Sequence, residues 1–205
     1  MEVMNTNLFE WGVAERPMVG EAQSGDLYMV KPLGDNILFA VADGLGHGPA
    51  ASEAARLALK TVEESAHKPL VQVLENCDQR LRQTRGVVLT IALFNALDNS
   101  MEWVGVGNVQ GVLVRSAPEG KAVAESLLLS RGILGGVLPP VRTAVLRIDS
   151  GDTLVLATDG VRQGFEDGLV MLETPEKTAE GILTRDGLNT DDALVLVATL
   201  NGRAR

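Results

Sequence analysis

Four short turns in this chain carry carboxylates: SGD (24–26), ADG (42–44), TDG (158–160) and TDD (190–192). Each stands at the edge of a segment that reads as a β-strand. Two of them are near copies, since LFAVADG (38–44) aligns residue for residue with LVLATDG (154–160). A carboxylate beside apolar packing is costly unless something pairs with it. Clustered carboxylates also repel one another unless they are protonated or neutralised by a cation. Oxygen-only donors suit hard divalent ions such as Mg2+ and Mn2+. With His47 and His67 the only histidines and Cys77 the only cysteine, a zinc site is disfavoured. The glycines that follow Asp43 and Asp159 are expected to permit tight turns and to expose a backbone carbonyl as a further ligand. A single Asp-Gly pair is an ordinary turn, but four such turns, two of them matching, point to a metal site.

The rest of the composition narrows the function classes. The chain has 205 residues, 45% of them hydrophobic and 22% charged. That balance suits one globular domain over 1–205. Aromatics are only 3%, so the core must be built from Val, Leu, Ile and Ala. The formal charge is −9, and no Lys/Arg cluster offsets it. A nucleic-acid or anionic-membrane surface is therefore not expected. The densest basic stretch, QRLRQTR (79–85), has helical spacing and reads as a solvated face. Cys77 lies in a periodic apolar pattern and reads as a small core residue. No apolar run resembles a signal peptide or a bilayer span, so a soluble, cytoplasmic protein is expected.

The elements that must position the carboxylates follow from periodicity. Strands are expected at 9–13, 27–30 and 37–42, the last two joined by the PLGDN turn as a hairpin. Gly48-Pro49 should open a helix whose Ala51, Ala54, Ala55, Ala58 and Val62 form a narrow face of small residues. Leu70, Val73, Leu74, Cys77 and Leu81 mark a second helix after Pro69. Further strands are expected at 87–94, 101–107, 111–115, 124–129, 143–148 and 153–158, with turns at 98–100, 118–120 and 149–152. RGILGGVLPPV (131–141) reads as a loop, 176–183 as a helix, and the apolar run 193–200 as a central strand. Helices and strands fall in blocks, which predicts an α+β fold: two stacked antiparallel sheets with helix pairs on the outer faces.

The order SGD, VADGLGHG with a following helix, VGVGN (104–108), LATDG and TDDALVLV resembles the metal-dependent protein phosphatases of the protein phosphatase 2C class. Within that class, the glycine-rich DGLGHG resembles the bacterial SpoIIE-type branch. The small size looks like the feedback phosphatases of the stressosome. The resemblance spans nearly the whole chain and implies a four-layer αββα sandwich. It implies two Mn2+ or Mg2+ ions, Asp43 bridging them. The Gly44 carbonyl and Asp26 would serve one ion, Asp159 and Asp191 the other. It further implies hydrolysis of phosphoserine or phosphothreonine by water activated between the ions, with a phosphorylated STAS-domain protein as substrate.

Several positions depart from the family pattern. Leu45 stands where larger members place a histidine directly after Asp-Gly, which leaves His47 either as the general acid or as a loop residue beside the first helix. The phosphate-gripping arginine that larger members carry before the first acidic motif is absent between Val19 and Asp26. The grip must then come from metals, backbone or a distant arginine. Asp192 stands where the family usually has Asn, so Asp192 is the alternative to Asp191 as ligand. Trp11, Trp103 and Thr90 read as packing residues. Two other functions compete. DGLGHGPA opens a helix as phosphate-cradling loops do and faintly resembles the nucleotide box of GHKL-type kinases, though no P-loop lysine accompanies it. A catalytically silent binding module on the same fold is the third reading.

Overall fold

The computed structural model describes residues 8–116, 123–138 and 140–201. The strands are β1 (Phe9–Arg16), β2 (Asp26–Leu33), β3 (Asn36–Gly44), β4 (Val87–Asn95), β5 (Ser100–Val106), β6 (Gln110–Arg115), β7 (Val123–Ser126), β8 (Ala144–Arg147), β9 (Thr153–Ala157) and β10 (Ala193–Leu200). The helices are α1 (Pro49–Ser65), α2 (Leu70–Leu81) and α3 (Pro175–Asp186), with a short 3-10 helix at Phe165–Gly168. The turn expected at 118–120 lies outside the described residues.

Two antiparallel five-stranded sheets form, in the orders β2-β3-β4-β5-β8 and β1-β10-β9-β6-β7. Strand alternation sorts side chains into layers. On β3, Leu38, Ala40 and Ala42 face α1 and α2, where they meet the small-residue row Ala54, Ala55 and Ala58. Phe39 and Val41 face the other sheet, where they join Phe94, Trp103, Leu156, Leu194 and Leu196. On the far side, Val155, Val195 and Val197 pack under Ala179 and Ile182 of α3. The near-continuous apolar strands are explained by this cover on both faces.

The expected α+β sandwich of two antiparallel sheets is therefore present. One outer face carries the helix pair α1 and α2. The other carries α3 and the 3-10 helix in place of a second pair, because residues 161–174 hold only that short 3-10 helix before α3 begins. Cys77 and Trp103 are core residues. Burial pushes the Cys77 thiol up to about 12, so it is inert. Trp11 is half exposed and tilts against Tyr28.

Candidate metal centre

The carboxylates gather at one end of the sandwich because strand parity carries them there. The β2–β3 hairpin pairs Asp26 directly with Asp43. Asp43 continues the inward row of Phe39 and Val41, and Asp26 continues that of Tyr28 and Val30. From the opposite sheet, Thr158 extends the inward row of Leu154 and Leu156, and Asp192 extends that of Leu194 and Leu196. The rows meet where the strands end. The Thr158 hydroxyl donates to Asp26 Oδ2 at 2.7 Å and accepts from the Leu194 amide at 2.9 Å, which ties the two sheets together behind the site.

The twin Asp-Gly turns use glycine for space. Neither Gly44 nor Gly160 has a positive φ. A Cβ on Gly44 would stand 2.1 Å from the Ala51 carbonyl oxygen, and one on Gly160 would stand 1.9 Å from that of Asp192. Close backbone approach, not an unusual turn conformation, thus requires both glycines. That approach seats the start of α1 against one Asp-Gly turn and the TDD turn against the other.

Asp43, Asp159 and Asp191 line one cleft of about 360 Å³, together with Asn108 and Arg131. Asp26 is buried behind it, 2% exposed. Asp192 does not line the cleft: it is also 2% exposed, and its two oxygens accept from the amides of Met18 and Gly25, each at 2.7 Å. The neighbouring Asp191 and Asp192 therefore differ completely in environment. Asp191 faces the cleft, while Asp192 fastens the 18–25 segment to β10. His47 is not part of the lining either. Its Nδ1 lies 2.7 Å from Glu21 Oε1, and Glu21 also abuts Gly48 at the start of α1. These contacts support the loop role for His47 over that of an acid in the cleft. They also place a carboxylate where a nucleotide phosphate would need to sit at the α1 N-terminus, against the kinase-like reading.

The charges are uncompensated. Among the described residues, no Lys, Arg or His nitrogen lies within 4.0 Å of Asp26, Asp43, Asp159 or Asp191. Burial, followed by repulsion from Asp26, Asp159, Asp191 and Asp192, pushes the Asp43 carboxyl up to about 9. Burial, opposed by the Thr158 hydrogen bond, holds Asp26 at about 7. Asp159 is raised by burial and by Asp191. This set fits hard divalent cations, which would supply the missing positive charge. No three metal-ligating side chains converge tightly enough to hold an ion unaided among the described residues. Backbone oxygen and water would have to complete a coordination shell.

A pH dependence follows. A carboxyl with a raised folded-state pKa adds stability that is fully present below its ordinary value and is lost as pH rises through the folded one. Metal-free protein should therefore melt progressively lower between about pH 4 and about pH 9, the window set by Asp26 and Asp43. Mn2+ should reverse that trend at the alkaline end. Thermal denaturation in chelator and in Mn2+ across this range checks it.

Asn108, in the VGVGN motif, lines the cleft and donates from Nδ2 to Asp159 Oδ2 at 2.8 Å. The motif was legible, but the role of its amide was not. By orienting a carboxylate, Asn108 should tune metal affinity, and Asn108→Ala is expected to weaken Mn2+ binding by about 10- to 100-fold. Calorimetric titration would show this, with the melting temperature of the metal-free protein little changed. Thr158 and Arg131 likewise could not be assigned from sequence, since both depend on contacts across the sandwich or on a loop path.

Comparison with known proteins agrees with this architecture. The family model for stage II sporulation protein E (SpoIIE) matches residues 34–201. The phosphoserine phosphatase RsbX of Bacillus subtilis (strain 168) is 28% identical over 142 residues, 69% of each chain. A solved structure from work on the bacterial stressosome, as a modular system adapted to control secondary messenger signalling, superposes with a TM-score of 0.82 at 29% identity. It covers 93% of this chain and 98% of its own. RsbX in complex with magnesium also gives 0.82, at 24% identity, covering 94% and 96%, a likeness of fold. The chain belongs to the SpoIIE family. As an enzyme it is a serine/threonine protein phosphatase, similar to RsbX.

Proposed function

We propose that the chain removes phosphate from phosphoserine or phosphothreonine on a bacterial signalling protein in the cytoplasm, with two Mn2+ or Mg2+ ions at the acidic cleft. The observation that carries this reading is the convergence of Asp43, Asp159 and Asp191, from three separate segments, on one cleft, with no Lys, Arg or His nitrogen within 4.0 Å of them among the described residues. Asp43 would be shared between the ions, with Asp26 and the Gly44 carbonyl on one side and Asp159 and Asp191 on the other. When bound, the ions would make a water nucleophilic near neutral pH and offset the phosphate's charge. The chain's own part is to hold that constellation rigid. Thr158 fixes Asp26, Asn108 fixes Asp159, and the apolar run of β3 fixes Asp43.

The substrate we propose is a phosphorylated STAS-domain protein of a stressosome or related partner-switching pathway. Support comes from the likeness to RsbX and to a structure studied in the stressosome context. A silent binding module is disfavoured because every proposed ligand is present. The test is release of phosphate from a phosphorylated STAS-domain protein in Mn2+. Release that stops in chelator supports the reading. No release in Mn2+ from a protein that binds the ion would return it to a binding module.

A further inference from the structure

Among the described residues, Asp43, Asp159 and Asp191 share their cleft with a single cation, Arg131. Arg131 is exposed at the rim, and among the described residues its guanidinium has no carboxylate within 4.0 Å and no hydrogen bond. An arginine left unpaired beside a cluster of carboxylates is uncommon, because ion pairing normally claims it.

The main chain around it is firmly placed. Ser130 is pinned to the β5 end, its amide donating to the Gly105 carbonyl at 2.9 Å and its carbonyl accepting from the Gly107 amide at 2.8 Å. Leu134 is pinned to β4 by reciprocal bonds with Val87 at 3.0 and 2.9 Å. Only residues 131–133 lie between these pins. Ile133 fills the space over Gly86, where a Cβ would stand 2.6 Å from Ile133 Cγ2. The short arch therefore presents Arg131 at the mouth with a fixed backbone and a free head group.

We propose that Arg131 binds the substrate's phosphate, clamping two of its oxygens from the side of the cleft facing the carboxylates. This rests on the phosphatase reading above. A guanidinium fork matches phosphate geometry in a way an ammonium does not. Its position on the 130–134 arch also answers the absence of any basic residue between Val19 and Asp26. A further nearby cation, Arg85, reaches Gly46 with its guanidinium but does not itself line the cleft.

The test uses inorganic phosphate and p-nitrophenyl phosphate with Mn2+ present. In Arg131→Ala, KM for p-nitrophenyl phosphate and the inhibition constant of phosphate should both rise about tenfold, the scale of one charge-assisted pair. kcat should stay within about threefold, because the contact is made equally in the ground and transition states. The melting temperature and its rise with Mn2+ should not change. Arg131→Lys, which keeps charge but loses the fork, should fall between, and Arg85→Ala should match the parent. Unchanged KM and phosphate inhibition in Arg131→Ala, with Mn2+ response and hydrolysis intact, overturn the proposal and leave the phosphatase reading standing. Equal losses in Arg85→Ala also overturn it, by reducing the effect to net charge. Absence of Mn2+-dependent hydrolysis in the parent overturns both.

Discussion

Asp43→Asn should abolish phosphatase activity while making the metal-free protein more stable. Loss of the proposed shared ligand removes the positive charge that activates water and screens phosphate, so kcat should fall by at least about 10³-fold. The fold has the opposite interest. The Asp43 carboxylate receives no hydrogen bond among the described residues, and burial with four neighbouring carboxylates raises its pKa to about 9. Its ionised form therefore opposes folding. Asn keeps the shape and discards the charge. In chelator at about pH 9, Asp43→Asn should melt higher than the parent, and the gap should close toward about pH 4, where both side chains are neutral. Paired activity assays and melting curves check it. A variant that lost activity and stability together would mean that Asp43 supports the fold rather than the chemistry.

Asp191→Ala and Asp192→Ala should separate in the same sense, though the residues are neighbours. Asp192 satisfies two backbone amides, those of Met18 and Gly25, from a buried position. Removing it leaves both donors unpaired and should cost about 3 kcal/mol, which for a chain of this size lowers the melting temperature by about 6–12 °C. Asp191 lines the cleft and, among the described residues, accepts only from the adjacent Asp192 amide. Its removal should leave the metal-free melting temperature unchanged or raised, and should reduce Mn2+-dependent activity by about 10²-fold or more. Thermal denaturation beside activity measurements distinguishes them. The reverse pattern would make Asp192 the ligand.

These two residues also illustrate what could be read from sequence. TDDALVLV offers adjacent carboxylates, and composition cannot rank them. Parity can: Asp192 is in phase with Leu194 and Leu196, which face the inter-sheet core, so it is drawn inward, while Asp191 falls in the opposite phase. Long apolar runs were legible for a similar reason. β3 and β10 are buried on both faces, and α1 and α2 announce themselves through their small-residue and amphipathic rows. Weakly patterned segments were less so. The strand expected at 124–129 ends at Ser126, because the chain then leaves β6 to bridge Ser130 to the other sheet, and Leu128 is left 92% exposed. The twin Asp-Gly turns signalled a shared site, but their glycines answer to contacts with Ala51 and Asp192 that only the folded chain creates. Arg131 reaches the cleft by a loop path that no local pattern specifies.

The uncompensated carboxylates are proposed to form a site for two divalent ions. Calorimetric titration of Mn2+ into the metal-free protein at neutral pH, in buffers of different ionisation enthalpy, tests it most directly. About two ions are expected to bind per chain, with proton release on binding because Asp26 and Asp43 must ionise, and binding should weaken in Asp43→Asn. Absence of Mn2+ binding, or binding that is unchanged in Asp43→Asn and releases no protons, would contradict it.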